Sequence, residues 1–134
     1  MQAKHTQFNH TTTEAQLRQS TEQRNQVLWI EDFSTKRLLF VNAIFQKMWG
    51  YDANLLFSSP PRFLDALLPE YRAAFKDHLA KQRRGEIATF EYRITRADGL
   101  VRKVRDHAFP LLNSSGEIYR TVGIAEDITE SKEA

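Results

Sequence analysis

Three alternating runs close the chain, and two tight turns tie them together. In ATFEYRI, Phe90, Tyr92 and Ile94 share one face while Thr89, Glu91 and Arg93 share the other, the two-residue period of a half-buried strand. Asp98-Gly99 follows, a pair that supplies the positive φ angles of a tight hairpin. Val101 to Leu112 runs back, Asn113-Ser114-Ser115-Gly116 reverses the chain again, and Glu117 to Ile128 makes the third run. Strands joined by turns this short pair with their sequence neighbours, so this third of the chain is an antiparallel meander.

The segments ahead of it must complete the sheet and cover it. VLWIED and LLFVN are short β-branched and aromatic runs separated by STKR, a second hairpin signature. AIFQKMWG has Phe45, Met48 and Trp49 at helical spacing, with Asn42 at the N-cap position and Gly50 just past the end. SSPPR breaks the chain. A short helix is expected around Arg62 to Leu67, then a longer one from Glu70 to Arg84 between Pro69 and Gly85, with Ala74, Phe75 and Leu79 as its apolar stripe. The order of two strands, several helices and three strands gives an α+β fold: a five-stranded antiparallel sheet with short helices on one face. Residues 1–26 form a polar N-terminal cap or linker, helical from Thr13 to Gln26 and opened by a capping box of Thr11 and Glu14. Its few apolar residues need a partner surface, because so thin a stripe does not hold a lone helix.

The chain has 134 residues, room for a single domain with a modest core. No apolar run approaches the roughly 20 residues that span a membrane, and the N-terminus carries no signal-peptide core. With no cysteine there is no disulfide, thiolate nucleophile or sulfur-ligated metal, which agrees with a cytoplasmic location. The basic stretches Arg72 to Arg84 and Arg93 to Arg105 read as a solvated helix face and an exposed sheet face, without a nucleic-acid partner. No Ser-His-Asp or Cys-His arrangement and no phosphate-cradling glycine loop is present, and His5, His10, His78 and His107 lack metal-ligand spacing. The chain is therefore not expected to be an enzyme.

Three stretches in order resemble one family. FVNAIFQKMWGYDANLL, FEYRITRADGLVRKVRD and GIAEDITESK are similar to the strand-to-helix passage, central Asp-Gly hairpin and closing Gly-x-x-x-Asp-Ile-Thr-Glu of PAS domains, the bacterial sensory branch with a C-terminal Asp-Ile-Thr motif. The resemblance covers Val27 to Lys132. It departs at Leu68-Pro69-Glu70-Tyr71, where the family often has His-Pro-Glu-Asp, and at Lys103, where it often has Trp. It implies a PAS domain over residues 27–129 and the start of a signalling helix at residues 130–134. It also implies a sensory role ahead of an effector such as a histidine kinase or diguanylate cyclase, in a parent protein that is free to carry a membrane anchor. Asp127, Ile128 and Thr129 are then the signal-transfer junction. Two other readings are a purely structural dimerisation and relay element with nothing bound, and a heme-based gas sensor using His78. Flavin photoadduct chemistry needs a cysteine, and none exists.

A small-molecule pocket would be lined by Trp29, Phe45, Trp49, Phe75, Phe90, Tyr92, Val104 and Asp106, with Phe40, Met48, Phe63 and Ile94 also turned inward. Alternation along the fourth strand puts Asp106 between Val104 and Ala108 on the apolar face. A carboxylate there needs a donor, with Tyr92 and Trp49 as candidates besides backbone, water or ligand. The aromatic set reads more readily as a packed core around a satisfied Asp106. On the opposite face, Val122, Ile124, Leu28 and Ile30 form an apolar patch that the N-terminal helix would cover, in cis or swapped in a homodimer built through that helix and the sheet face.

Overall fold

The computed structural model describes residues 13–57 and 66–129. Thr11, Phe63, most of the short helix expected before Leu67, and residues 130–134 lie outside them. In chain order the elements are α1 (Glu14–Gln23), β1 (Val27–Asp32), β2 (Leu38–Val41), α2 (Ile44–Trp49), a 3-10 turn (Ala53–Phe57), α3 (Pro69–Arg83), β3 (Ala88–Thr95), β4 (Val101–Leu112) and β5 (Ile118–Asp127). The five strands form one antiparallel sheet in the order β2-β1-β5-β4-β3. The meander β3-β4-β5 is present as expected, and β5 then joins it to the first hairpin by pairing with β1. Asn113 sets the second turn, its Oδ1 accepting from the N–H groups of Ser115 and Glu117.

The sheet is apolar on both faces, and each face has its own cover. Val27, Trp29, Tyr92, Ile94, Val104 and Ala125 point to the side of α2 and α3, where Phe45, Met48, Trp49 and Phe75 meet them. Leu28, Ile30, Phe109, Leu111, Val122 and Ile124 point to the other side, where α1 lies over them and buries Leu17. The patch expected on β1 and β5 is therefore covered within the chain. Full burial of a leucine contributes about 1.5–3 kcal/mol, enough to hold a helix with almost no other apolar anchor. Phe40 belongs to this second side rather than to the interior, with the Arg18 guanidinium over its ring.

Helix starts differ from the sequence expectation. Thr13, not Thr11, caps α1, and its capping-box partner is Gln16 rather than Glu14. Glu14 instead faces Arg120 on β5 at 3.2 Å. Ala43 occupies the N-cap of α2 and gives no side-chain cap. Asn42 is buried, its Oδ1 accepting from Leu28 N and its Nδ2 donating to Gln26 O and Thr21 Oγ1. It ties the end of β2 to the passage from α1 into β1, so satisfying buried backbone took precedence over capping. At the far end of α2, Gly50 takes φ 81° and Arg96 donates to the carbonyls of Lys47 and Met48.

In α3, Pro69 sits in the first turn, where its missing N–H costs nothing. The buried residues are Phe75, His78 and Gln82, whereas Ala74 is exposed and Leu79 half-buried. The helix is turned away from the expected Ala74 stripe, which brings two polar side chains onto the sheet. No helix among the described residues is long and apolar enough to cross a membrane.

Candidate functional site

Three arrangements on this framework could carry chemistry or signal. The first is a buried polar group. Phe90 pairs with Asp106 and Tyr92 with Val104 across β3 and β4, so Tyr92 and Asp106 are diagonal neighbours on one face. The Tyr92 hydroxyl donates to Asp106 Oδ2 at 3.1 Å. From α3, His78 brings Nε2 to 3.7 Å from Asp106 Oδ1, within ion-pair range but too long for a hydrogen bond. The three residues are between 0 and 4% exposed. Burial first, then the charge and hydrogen bond of Asp106, push the Tyr92 phenol well above its ordinary pKa.

His78 is buried, stacked on Phe90 and tilted against Phe75. Its ring faces Asp106 and does not border the cleft described next. No group of three or more His, Asp or Glu among the described residues could hold a metal ion.

The second arrangement is a cleft of about 270 Å³ between β1, β2 and α3. Trp29, Leu38, Leu56, Phe75 and Leu79 form its apolar wall, and Glu31, Lys36, Arg37, Gln82 and Arg83 its polar edge. Glu31 is 6% exposed and accepts two bonds from Arg83, each 3.2 Å. Lys36 donates to the Arg83 carbonyl and lies over the Phe33 ring. Trp29 fits because Gly123 beneath it has no side chain: a Cβ there would fall 1.9 Å from the indole nitrogen.

Of the eight residues expected to line a pocket, only Trp29 and Phe75 border this cleft. Phe45 and Trp49 stack on each other, with Trp29 edge-on to Trp49, and Tyr92 and Val104 are fully buried core. Phe90 packs against His78, and Asp106 belongs to the buried polar group. The cleft residues missed from sequence left a weak signal. Glu31 falls two residues after Trp29 and so on its face of β1; Gln82 falls seven after Phe75, two helical turns along one side of α3.

The third arrangement is the end of β5. Asp127 Oδ1 accepts from Thr129 N, and Asp127 Oδ2 from Arg102 Nε at 2.8 Å. Thr129 Oγ1 accepts from Lys103 N, and Ile128 N donates to Lys103 O. Ile128 is buried. Burial alone would raise the Asp127 carboxyl, but the hydrogen bonds from Thr129 and Arg102 outweigh it and hold it below its ordinary pKa. The residues expected at the junction thus form one latch that fastens the exit of β5 to β4.

The profile of the family described as the PAS fold matches residues 38–125. Among solved structures, a domain named for a light and redox sensing histidine kinase of Haloarcula marismortui is 32% identical, with a TM-score of 0.63, covering 87% of this chain and all of its own. A sensory box histidine kinase/response regulator from Burkholderia thailandensis is 25% identical, with a TM-score of 0.60 and 87% of each chain covered. The N-terminal domain of a diguanylate cyclase with PAS/PAC sensor from Marinobacter aquaeolei has a TM-score of 0.64 at 18% identity, covering 80% of this chain and 98% of its own. A comparison with curated proteins returned no match.

Proposed function

The chain belongs to the PAS fold family, and on that premise we propose that it is a sensory module that regulates a downstream effector, a histidine kinase or a diguanylate cyclase, through its Asp-Ile-Thr exit. The observation that carries this reading is the latch at Asp127, Ile128 and Thr129. Three polar contacts there hold the end of the last strand to β4, and a fourth, from Thr129 N to Asp127 Oδ1, turns the chain at the point where a following helix would leave. A shift of β4 against β5 alters those contacts and therefore the direction in which the chain departs. The kinase and cyclase origins of the similar domains support the choice of effector classes.

The input we assign is a small molecule in the cleft beside α3. Its support is the open volume itself, walled by Trp29 and Phe75 and edged by Gln82, where a packed relay domain would be filled. The test is the effector output of the intact protein, as autophosphorylation or cyclic dinucleotide synthesis, with and without residues 27–129. Output that loses its regulation on deletion supports the proposal. Output that keeps normal regulation without the domain rejects it.

A further inference from the structure

The charges around the cleft are uneven. Glu31 is already spent, with both carboxylate oxygens accepting from Arg83. The Lys36 ammonium is held by a neutral carbonyl and an aromatic ring, which leave its charge uncompensated. The Arg37 guanidinium has no side-chain partner among the described residues and is exposed at the same edge. Two positive charges on the β1–β2 turn thus face a cleft with no free negative charge. Lys36 holds φ 63°, so the turn itself directs the pair. Beyond them the wall is apolar. At its edge Gln82 is 2% exposed with its amide nitrogen lacking a hydrogen-bond partner, a costly state for a buried donor.

We propose, resting on the ligand-sensing reading, that the cleft takes a small monocarboxylate whose apolar body bears a second oxygen acceptor. The carboxylate lies at the Lys36–Arg37 edge. The body packs on Trp29, Leu38, Phe75 and Leu79, and the second oxygen accepts from the Gln82 amide. Cationic ligands are disfavoured, because the carboxylate that would receive them is paired with Arg83. The cleft of about 270 Å³ lies at the small end of ligand pockets, which run to roughly 1,000 Å³, so it suits a single ring or a short chain.

The test is titration of the ¹⁵N-labelled full chain with phenylacetate, 4-hydroxyphenylacetate and octanoate, each against its matched neutral alcohol. Saturable shifts are expected around Trp29, Leu38 and the Gln82 side-chain NH₂, with 4-hydroxyphenylacetate shifting that NH₂ most. The acids should bind about two- to fivefold more tightly than the alcohols at low salt, the range of an exposed ion pair, with the margin shrinking as salt rises. Lys36→Gln/Arg37→Gln, both exposed positions, should erase the margin while leaving the fold intact by circular dichroism. Leu79→Phe should weaken every ligand by filling the wall. Acids and alcohols binding alike, no saturable acid binding, or an acid preference that survives the double substitution would each overturn the proposal. So would Leu79→Phe without effect. Because binding is read on this chain alone, these failures leave regulation of the effector standing, and loss of effector regulation leaves the binding result standing.

Discussion

Removing the Asp106 carboxylate separates a structural anchor from a poorly tolerated buried charge, because the two roles predict opposite signs. In Asp106→Ala the Tyr92 hydroxyl, fully buried and donating to Asp106 Oδ2, loses its acceptor. Asp106 is the acceptor of that hydroxyl among the described residues, and a buried donor left unpaired costs about 1–3 kcal/mol. His78 loses the carboxylate 3.7 Å from its Nε2 as well. Against these losses stands relief from desolvating a carboxylate, which here has a hydrogen-bonded partner and a histidine beside it. The balance is a net destabilisation of about 1–3 kcal/mol, or roughly 4–12 °C in melting temperature for a domain of this size. Urea melts of the wild type and Asp106→Ala, without added ligand, read it as a lower midpoint at unchanged slope. A double-mutant cycle with Tyr92→Phe should return about 0.5–3 kcal/mol of coupling, since the two side chains share one bond. A midpoint that rises in Asp106→Ala would refute the anchor reasoning.

Gly123→Ala places a Cβ 1.9 Å from the Trp29 indole nitrogen and 2.5 Å from its Cδ1, so the indole must move. A loss of about 1–3 kcal/mol with a change in tryptophan emission is expected, and an unchanged spectrum would contradict the packing described. Burial holds the His107 imidazole below its ordinary 6.5, with the Asp106 charge opposing and His78 adding to the shift. The unfolded chain therefore takes up that proton first as pH falls; the penalty is absent above 6.5 and grows below it. Melts between about pH 8 and pH 5 should show this decline, and His107→Gln should flatten it. Deleting residues 1–26 uncovers Leu28, Ile30, Val122 and Ile124, and light scattering should then show association; a core that stays monodisperse at its original size would rule out α1 as the cover.

The parts of the fold legible from sequence were those governed by local period and turn chemistry. Alternation alone placed Asp106, Val104 and Ala108 on one face of β4 and Val122 and Ile124 on the opposite face of β5, because a strand admits only two choices per residue. That parity left Tyr92 and Trp49 as side-chain donors for Asp106, and Tyr92 is the one that reaches it. Helix faces were less legible. Phe75, Leu79 and Ala74 suggested one stripe, but where α3 lands on the sheet depends on the bulk of Phe90 and Tyr92 beneath it, and that contact buries His78 and Gln82 instead. Asn42 looked like a cap because caps are its commonest use, whereas three hydrogen bonds from segments far along the chain claim it. The cleft was the least legible, since its edge joins Lys36 and Arg37 on a turn to Arg83 at a helix end, residues with no shared sequence pattern.

The proposed exit of the signal is the latch at the end of β5, and Asp127→Ala in the intact protein probes it. The substitution removes the acceptor for Arg102 Nε and Thr129 N, contacts near the surface. Its effect on the isolated domain should stay within about 1 kcal/mol, a few degrees of melting temperature. Effector output measured beside that melt should change severalfold, in either direction, at a temperature where the domain remains folded. Output and regulation indistinguishable from wild type would contradict the claim.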